Sequence, residues 1–586
     1  MFREIETRKG KQSMIKLFRY LKKYAWLIVV TVALIFGQCM ADLTLPDLMS
    51  DIINNGVLKK DVPYIWQIGW QMLLVALGSM AAAVLAGFLA SRIGTGYARD
   101  LRSKVFNKVE GFSIAQFDGF STASLITRST NDIQQLGMFV VMMLRIMVSA
   151  PITMIGGIIK GSAKSSKLTW ILAVSIPVIL IVVGIVIRLA TKYFKQMQVR
   201  LDHMNLVLRE GLTGVRVIRA FGRDDRQAER FKEANVELNE VSLRVQRLMG
   251  TMMPTMMLIM SLTQLGIVWF AGPLINSGEM DLGGLMAFIQ YAIQILFSFL
   301  MFSFIFIMLP RAAASGLRVL EVLESESALK DPEKPVSPEK SGTVVFDNVT
   351  FAYPGAEQPT LENISFTADR GETVAIIGGT GSGKSTIGGL LMRFFDVSGG
   401  KVLVDGVDVR EMNQSDLHSR IGFVPQTAKL VTGTIMDNIK FGNPDVTDEQ
   451  AEAAAKTAQA EEFITGREDG MNAEITQSGT NLSGGQKQRV SIARAIAKKP
   501  EIFIFDDSFS ALDFKTDAML REALKKDTDG ATVIVIAQRI NTIMNADRIL
   551  VLNEGQIAGI GTHEQLMKSC DIYREIASSQ LAKEVG

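Results

Sequence analysis

Residues 373–386 read Thr373-Val374-Ala375-Ile376-Ile377-Gly378-Gly379-Thr380-Gly381-Ser382-Gly383-Lys384-Ser385-Thr386. A mostly β-favouring run enters G-x-x-x-x-G-K-S and then a helical stretch, the context that separates a phosphate-binding loop from a chance glycine-rich turn. The glycines let backbone N–H groups and the helix N-terminus face phosphate oxygens. Lys384 adds a point charge at the β/γ positions, and the Ser385 hydroxyl ligates Mg²⁺. A second apolar strand ends in Phe503-Ile504-Phe505-Asp506-Asp507, where an acidic residue leaving the strand beside such a loop makes Asp506 the other Mg²⁺ anchor. Between the two, Asn481-Leu482-Ser483-Gly484-Gly485-Gln486-Lys487-Gln488-Arg489 opens a helix with Ser-Gly-Gly, a further anion-binding N-terminus. One nucleotide does not need two such cradles in one chain. Two copies of the domain facing head to tail would let each lend its second cradle to the other's γ-phosphate.

Around these motifs, residues 343–586 alternate short β-rich runs (TVVFDNVTF, TVAIIGG, KVLVDG, EIFIFDD, ATVIVIA, RILVLNEG) with helical segments, the pattern of an α/β domain with a largely parallel central sheet. Upstream, the Pro-, Ser- and charge-rich stretch at 324–342 reads as an interdomain linker. Six apolar stretches precede it, roughly 24–45, 65–90, 138–159, 168–190, 249–275 and 285–309, each able to cross the ~30 Å hydrocarbon core at 1.5 Å per residue. The first is too long and starts too late for a cleavable signal peptide. Lys and Arg number 8, 6 and 12 in segments 1–23, 91–137 and 191–248, but 2, 3 and 0 in 46–64, 160–167 and 276–284. This asymmetry predicts cytoplasmic N- and C-termini in a multi-pass cell-membrane protein, with Lys160, Lys164 and Lys167 against the rule. In segment 1–23, Met14, Leu17, Phe18 and Leu21 share a helical face suited to the membrane interface; a plain extension of the first span is the alternative. The two long connections read as helical continuations of the spans, with turn-like breaks at 117–119 and 222–225. Across 586 residues, a net charge of +2 lacks the strongly basic footprint of a dedicated nucleic-acid binder, so no nucleic acid is expected as partner, and two cysteines (Cys39, Cys570) cannot make a disulfide framework or a multi-cysteine metal site.

A signature Leu482-Ser483-Gly484-Gly485-Gln486, placed after the phosphate loop and before the Asp506 strand, resembles the ATP-binding cassette (ABC) transporters. Six spans followed by one cassette resemble a half-transporter of the exporter architecture, and the resemblance covers essentially the whole chain. It implies a membrane α-helical domain at 24–323 with coupling helices near 113–120 and 214–225, followed by an α/β P-loop cassette at 343–586. By the same resemblance the cofactors are ATP and Mg²⁺. ATP is held by Gly378 to Thr386 and Gln426, and Tyr353, in Phe351-Ala352-Tyr353-Pro354, takes the adenine-stacking position; an ordinary surface aromatic is the other reading. Ser385, Gln426 and Asp506 form the metal set. Leu482 to Gln486 act in trans, and Asp513 belongs to the D-loop Ser510-Ala511-Leu512-Asp513.

Two positions depart from the family pattern. The residue after Asp506 is Asp507 where the family has Glu, which withdraws the carboxylate by about 1.5 Å; a misplacement near 1 Å costs on the order of 10²-fold in rate. Gln538, in Ile536-Ala537-Gln538-Arg539, stands where the switch histidine precedes Arg, and none of the three histidines (His203, His418, His563) is there. An amide donates a hydrogen bond but carries no titrating proton. Gln477 replaces a Glu of the cross-contact loop. A weakened catalytic set beside an intact signature resembles the degenerate half of a heterodimer whose partner, a second half-transporter, hydrolyses ATP. A homodimer that tolerates both substitutions is the alternative.

The membrane half says less. Met249, Met252, Met256 and Met260 form one stripe of the fifth span, and Met138, Met142, Met143, Met147 and Met154 lie in the third; they suit either a promiscuous cavity or packing. Arg145, Arg188, Asp42 and Gln38 are polar residues within or at the ends of apolar runs, either functional or snorkelling to the interface. The leading expectation is ATP-driven export of amphipathic small molecules, such as drugs, in contact with membrane lipid. Lipid or peptide translocation and a regulatory ATP-binding subunit remain as alternatives.

Overall fold

The computed structural model describes residues 15–326, 329–339 and 341–584. Its contacts group the chain up to Glu110 with Thr122–Ser325, and Gly111–Ser121 with the chain from Glu326 onward.

In the first unit, six helices are long and apolar enough to cross a membrane: Ile15–Val57, Val62–Glu110, Thr122–Lys164, Ser166–Thr213, Asp224–Asn276 and Leu282–Glu324. The most apolar windows of the first five are only 11–22% buried within this chain, whereas that of the sixth is 47% buried, so the sixth is the helix most enclosed by the others. All five tryptophans lie on these helices and are exposed (Trp26, Trp66, Trp70, Trp170, Trp269), close to the ends of the apolar runs where indoles anchor at the membrane–water boundary.

The three exceptional lysines all have acidic partners. Asp47 takes Lys160 at 2.8 Å and Lys164 at 3.1 Å, and Lys167 meets Glu279 at 2.5 Å. At the opposite ends, the buried Asp132 carboxylate ties the third helix to the sixth, accepting from Ser315 Oγ at 2.8 Å and Arg318 Nε at 2.7 Å.

Several expectations are modified. Met14 lies outside the described residues, and the apolar face beside it packs on protein. Leu17 and Leu21 are buried, Tyr97 of the second helix donates to Leu17 O, and Lys104 lies over the Tyr20 ring. Of the Met stripe, Met252, Met256 and Met260 pack with Ile179, Val183, Leu296 and Leu300, so this face is core rather than cavity; Met253 and Met257 are exposed. Residues 117–119 are not a break, because a Ser113/Gln116 capping box starts a helix, Ile114–Phe120, that runs through them. The chain turns instead on either side, at Gly111 and at Ser121 (φ 59°). Gln116 Nε2 donates to Glu326 O at 2.5 Å, and this helix groups with the second unit. The second short helix is Val215–Ala220, closed by Gly222 at φ 58°.

The linker is pinned to the cassette rather than free. Val336 N donates to Glu411 O at 2.9 Å, and Arg420 reaches Pro338 O at 2.9 Å. Beyond it the β-runs divide between two sheets. Val344–Phe351 and Gly399–Val404 belong to an antiparallel sheet with Leu361–Ala368 and Val407–Asp408. The larger sheet runs Gln556–Gly561, Arg548–Asn553, Thr373–Gly378, Thr532–Ile536, Ile502–Asp506, Ile421–Val424, parallel except for its first pair. Alternation sorts its side chains between two cores: Ala375, Ile377, Phe503 and Phe505 on one face, Val374, Ile376, Ile502 and Ile504 on the other.

Arg420 and Asp405 form a fully buried pair at 2.9 Å, their side chains 2% and 0% exposed. Truncating one partner leaves a buried charge, so Arg420→Ala is expected to destabilise the cassette by about 3–5 kcal/mol, read from denaturant unfolding of the full chain.

Candidate nucleotide site

The register of the parallel strands sets Ile376 beside Ile536 and Ile536 beside Asp506, so the loops that follow leave the sheet at one level. The phosphate loop is held by backbone sterics. A Cβ on Gly378 would lie 2.2 Å from Leu552 O, and Gly383, at φ 94°, would put one 2.5 Å from Leu361 Cδ2. Gly379 and Gly381 face open space, as close approach of a phosphate requires.

Lys384 is buried, its Nζ donating to Gly378 O at 2.9 Å and Gly379 O at 2.7 Å, which leaves one of its three N–H donors. Burial lowers the pKa of its ammonium, opposed by Asp507 and Asp506. Ser385 Oγ donates to Asp506 Oδ1 at 2.9 Å. Burial raises the Asp506 carboxyl's pKa, and the Ser385 hydrogen bond acts the other way. Thr380 is exposed at the loop tip, and the buried Ser382 Oγ has no hydrogen-bond partner. That orphaned donor, the open glycines and the hydroxyl–carboxylate pair fit a nucleotide phosphate with Mg²⁺. Tyr353 OH pairs with Thr386 Oγ1 at 3.1 Å, while its part-exposed ring meets Phe351 and Phe395 edge-on.

Asp507 turns away from the sheet at φ 46°, its N–H held by Ile536 O at 2.7 Å. Its Oδ2 accepts from two amides, Gln426 Nε2 at 3.2 Å and Gln538 Nε2 at 3.0 Å. The structure therefore brings Tyr353, Gly378 to Thr386, Gln426, Asp506, Asp507 and Gln538 into one site. Two supporting residues carried no signal in the sequence. Gln580, on the last helix, donates to Gln538 O at 2.8 Å and accepts from Ile540 N at 2.9 Å. Ser508, fully buried, donates to Val424 O at 2.9 Å. A glutamine in a polar helix and a serine after an acidic pair are unremarkable until the loops they hold are located.

The signature stands apart. Ser483 caps the helix Gly484–Ala497 in a capping box with Gln486, and Gly484 faces open space. Leu482 is buried, and Gly485 packs close to Ala511 O of the D-loop. Asp513 caps the next helix; the Thr516 N–H it accepts holds its carboxyl below the usual range. Among the described residues no hydrogen bond joins Leu482–Gln486 to Gly378–Thr386. The signature helix is tied to the site's surroundings by buried Gln488, whose amide donates to Pro425 O at 3.2 Å, next to Gln426.

The chain matches the family model of the ABC transporter transmembrane region over residues 27–299 and that of the ABC transporter over residues 361–510. A Mycobacterium tuberculosis relative named as an uncharacterized ABC transporter ATP-binding protein is 40% identical over 574 residues, covering 97% of this chain and 98% of its own. The chain belongs to the ABC transporter family. A second M. tuberculosis relative, named a fatty acid ABC transporter ATP-binding/permease protein, is 32% identical over 477 residues, 81% of this chain and 75% of that one. A solved bacterial Atm1-family ABC exporter with ATP bound shares the fold, with a TM-score of 0.79 at 24% identity over 96% of this chain and 98% of that one. This ABC transporter is thus an ATP-hydrolysing half-transporter, with six membrane helices and one cassette.

Gly383→Ala forces a side chain into the left-handed region and against Leu361, at about 1–3 kcal/mol. Binding of a fluorescent ATP analogue is expected to weaken by about tenfold or more.

Proposed function

We propose that this chain is the ATP-retaining half of a heterodimeric exporter of amphipathic small molecules, with both termini in the cytoplasm. The observation that carries the reading is the Asp507 carboxylate, shortened by a methylene and tied through Oδ2 to the amides of Gln426 and Gln538. Polarising a water for attack needs a carboxylate oxygen that reaches the water and accepts from it. Here the reach is reduced, and two amide N–H groups already take one carboxylate oxygen, Oδ2.

In this reading Tyr353 stacks on adenine, the Gly378–Thr386 loop and Lys384 hold the phosphates, and Ser385, Asp506 and Gln426 hold Mg²⁺, which supplies charge neutralisation when bound. Gln538 offers a hydrogen bond where a switch histidine would also offer charge. Leu482–Gln486 act on the partner's nucleotide; Gly484 is open and the Ser483 cap leaves its helix N-terminus free to face an anion. M. tuberculosis carries two different relatives of this chain, both named as ABC transporter proteins, which is compatible with distinct chains of this family acting side by side. The relative named for fatty acids favours a cargo with an acyl chain as a second reading.

Isolation of the chain from its native membrane in mild detergent, followed by mass spectrometry, is expected to recover a second half-transporter in equal amount. Recovery of this chain alone as an active dimer would overturn the reading. Within the complex, Lys384→Ala is expected to reduce transport without abolishing it, whereas Gly484→Asp removes most ATP turnover. Asp507→Glu combined with Gln538→His is expected to raise hydrolysis in this site by on the order of 10²-fold, measured as single-turnover phosphate release.

A further inference from the structure

Lining residues from the first three membrane helices surround a cavity of about 330 Å³, near the lower end of the roughly 300–1,000 Å³ usual for small-molecule sites. Its lining is largely apolar; Ile35 and Ala86 pack with Cys39 in one buried cluster. Three polar side chains interrupt it: Gln38 from the first helix, Arg145 and Ser149 from the third. None of the three side chains hydrogen-bonds or ion-pairs with a described residue. Together they offer a guanidinium, an amide and a hydroxyl, and no carboxylate lines the cavity. Asp42, one turn from Gln38, accepts from Ser79 Oγ at 2.5 Å and forms no ion pair with a described residue.

Arg145 lies about 10 Å along the helix axis from residue 138, where the apolar run begins, deep enough that a lone charge in lipid is costly. It also sits in a π-helical segment, Met143–Met147. Four residues beyond Met147 is Pro151, whose missing N–H leaves the Met147 carbonyl without its usual α-helical donor. Such π segments within helices recur at functional sites. Met138, Met142, Arg145 and Ser149 are spaced by four, three and four residues, one stripe of the helix, with Met138 and Met142 exposed.

We propose that this cavity binds the anionic head, a carboxylate or a phosphate ester, of a single-chain amphiphile. Arg145 is its charge partner, Gln38 and Ser149 are its neutral donors, and the tail runs over Met142 and Met138. The proposal rests on the reading of amphipathic cargo given above and names its head-group class. At about 330 Å³ the cavity is at the small end for a ligand site, enough for a head and the start of a chain whose remainder lies outside it.

The test is equilibrium binding, without ATP, of tritiated hexadecanoate, hexadecyl phosphate and hexadecanol to the full-length chain in phosphatidylcholine nanodiscs. Arg145→Gln is expected to weaken both anions by about tenfold or more, the worth of a charge-assisted contact, and to leave hexadecanol within about twofold. Arg145→Lys, which keeps the charge, retains part of the affinity and serves if the Gln variant does not elute as folded protein. Binding of only one anion supports the proposal and identifies whether carboxylic acids or phosphate esters are the source. Equal loss for hexadecanol, unchanged hexadecanoate affinity in Arg145→Gln, or no binding of either anion by the wild type would overturn it. Movement of a fluorescent amphiphile in proteoliposomes of the native complex tests the export reading separately, so either result can fail without the other.

Discussion

The register of one parallel sheet is the constraint on which the nucleotide site depends. Its central strands are buried on both faces, so a slip by one residue would exchange Ile376, Ile504 and Ile536 with Ala375, Phe505 and Val535 between two differently shaped cores. With that register fixed, Ile376, Ile536 and Asp506 end level with one another. Much of the site follows within a few residues of those ends: Lys384 and Ser385 after one strand, Asp507 after the second, Gln538 after the third; Gln426 follows the neighbouring strand Ile421–Val424, and Tyr353 follows a strand of the other sheet. Gln580 and Ser508 then hold the loops from outside the sheet.

The membrane half obeys a different solvent. Its helices satisfy their backbone groups internally and leave apolar side chains to lipid, so polar side chains there need partners from other helices. Asp47 takes two lysines, Asp42 takes Ser79, and Asp132 takes Ser315 and Arg318. Against that background Arg145, within the apolar run of the third helix, has no partner among the described residues and lines one cavity with Gln38 and Ser149, which have none either. The chain is therefore asymmetric in chemistry from end to end: a site that holds anions by backbone geometry in the cassette, and a single guanidinium in an apolar cavity in the spans.

Most of the cassette was legible in the sequence because a phosphate loop fixes its own context: strand, glycines, lysine, helix. Asp507 and Gln538 stood out as departures for the same reason. The two-sheet division was not legible, since Val344–Phe351 and Thr373–Gly378 are both β-rich. Only the exposure pattern separates them, alternating in the first and nearly continuously buried in the second. Contacts between residues distant in the chain were likewise hidden. The partners of Lys160 and Lys167 lie more than a hundred residues away, so charge counting registered them as exceptions to a rule that they satisfy in pairs. The methionine stripe was ambiguous by periodicity, because a helix face turned to core and one turned to a cavity share a spacing. The helix through Phe117-Asp118-Gly119 was missed because the turn composition of those residues outweighed the Ser113/Gln116 capping box just before them.

Division of labour between two nucleotide sites turns on whether the carboxylate of Asp507, held by two glutamine amides, lets ATP survive in its own site while the transporter cycles. The most direct test supplies the native complex with photoreactive azido-ATP labelled at the γ-phosphate during steady turnover. Cross-linking follows, and the label on each chain is read separately. Retained γ-label on this chain, with its loss from the other, is the predicted result. Equal loss of γ-label from both chains would contradict the account.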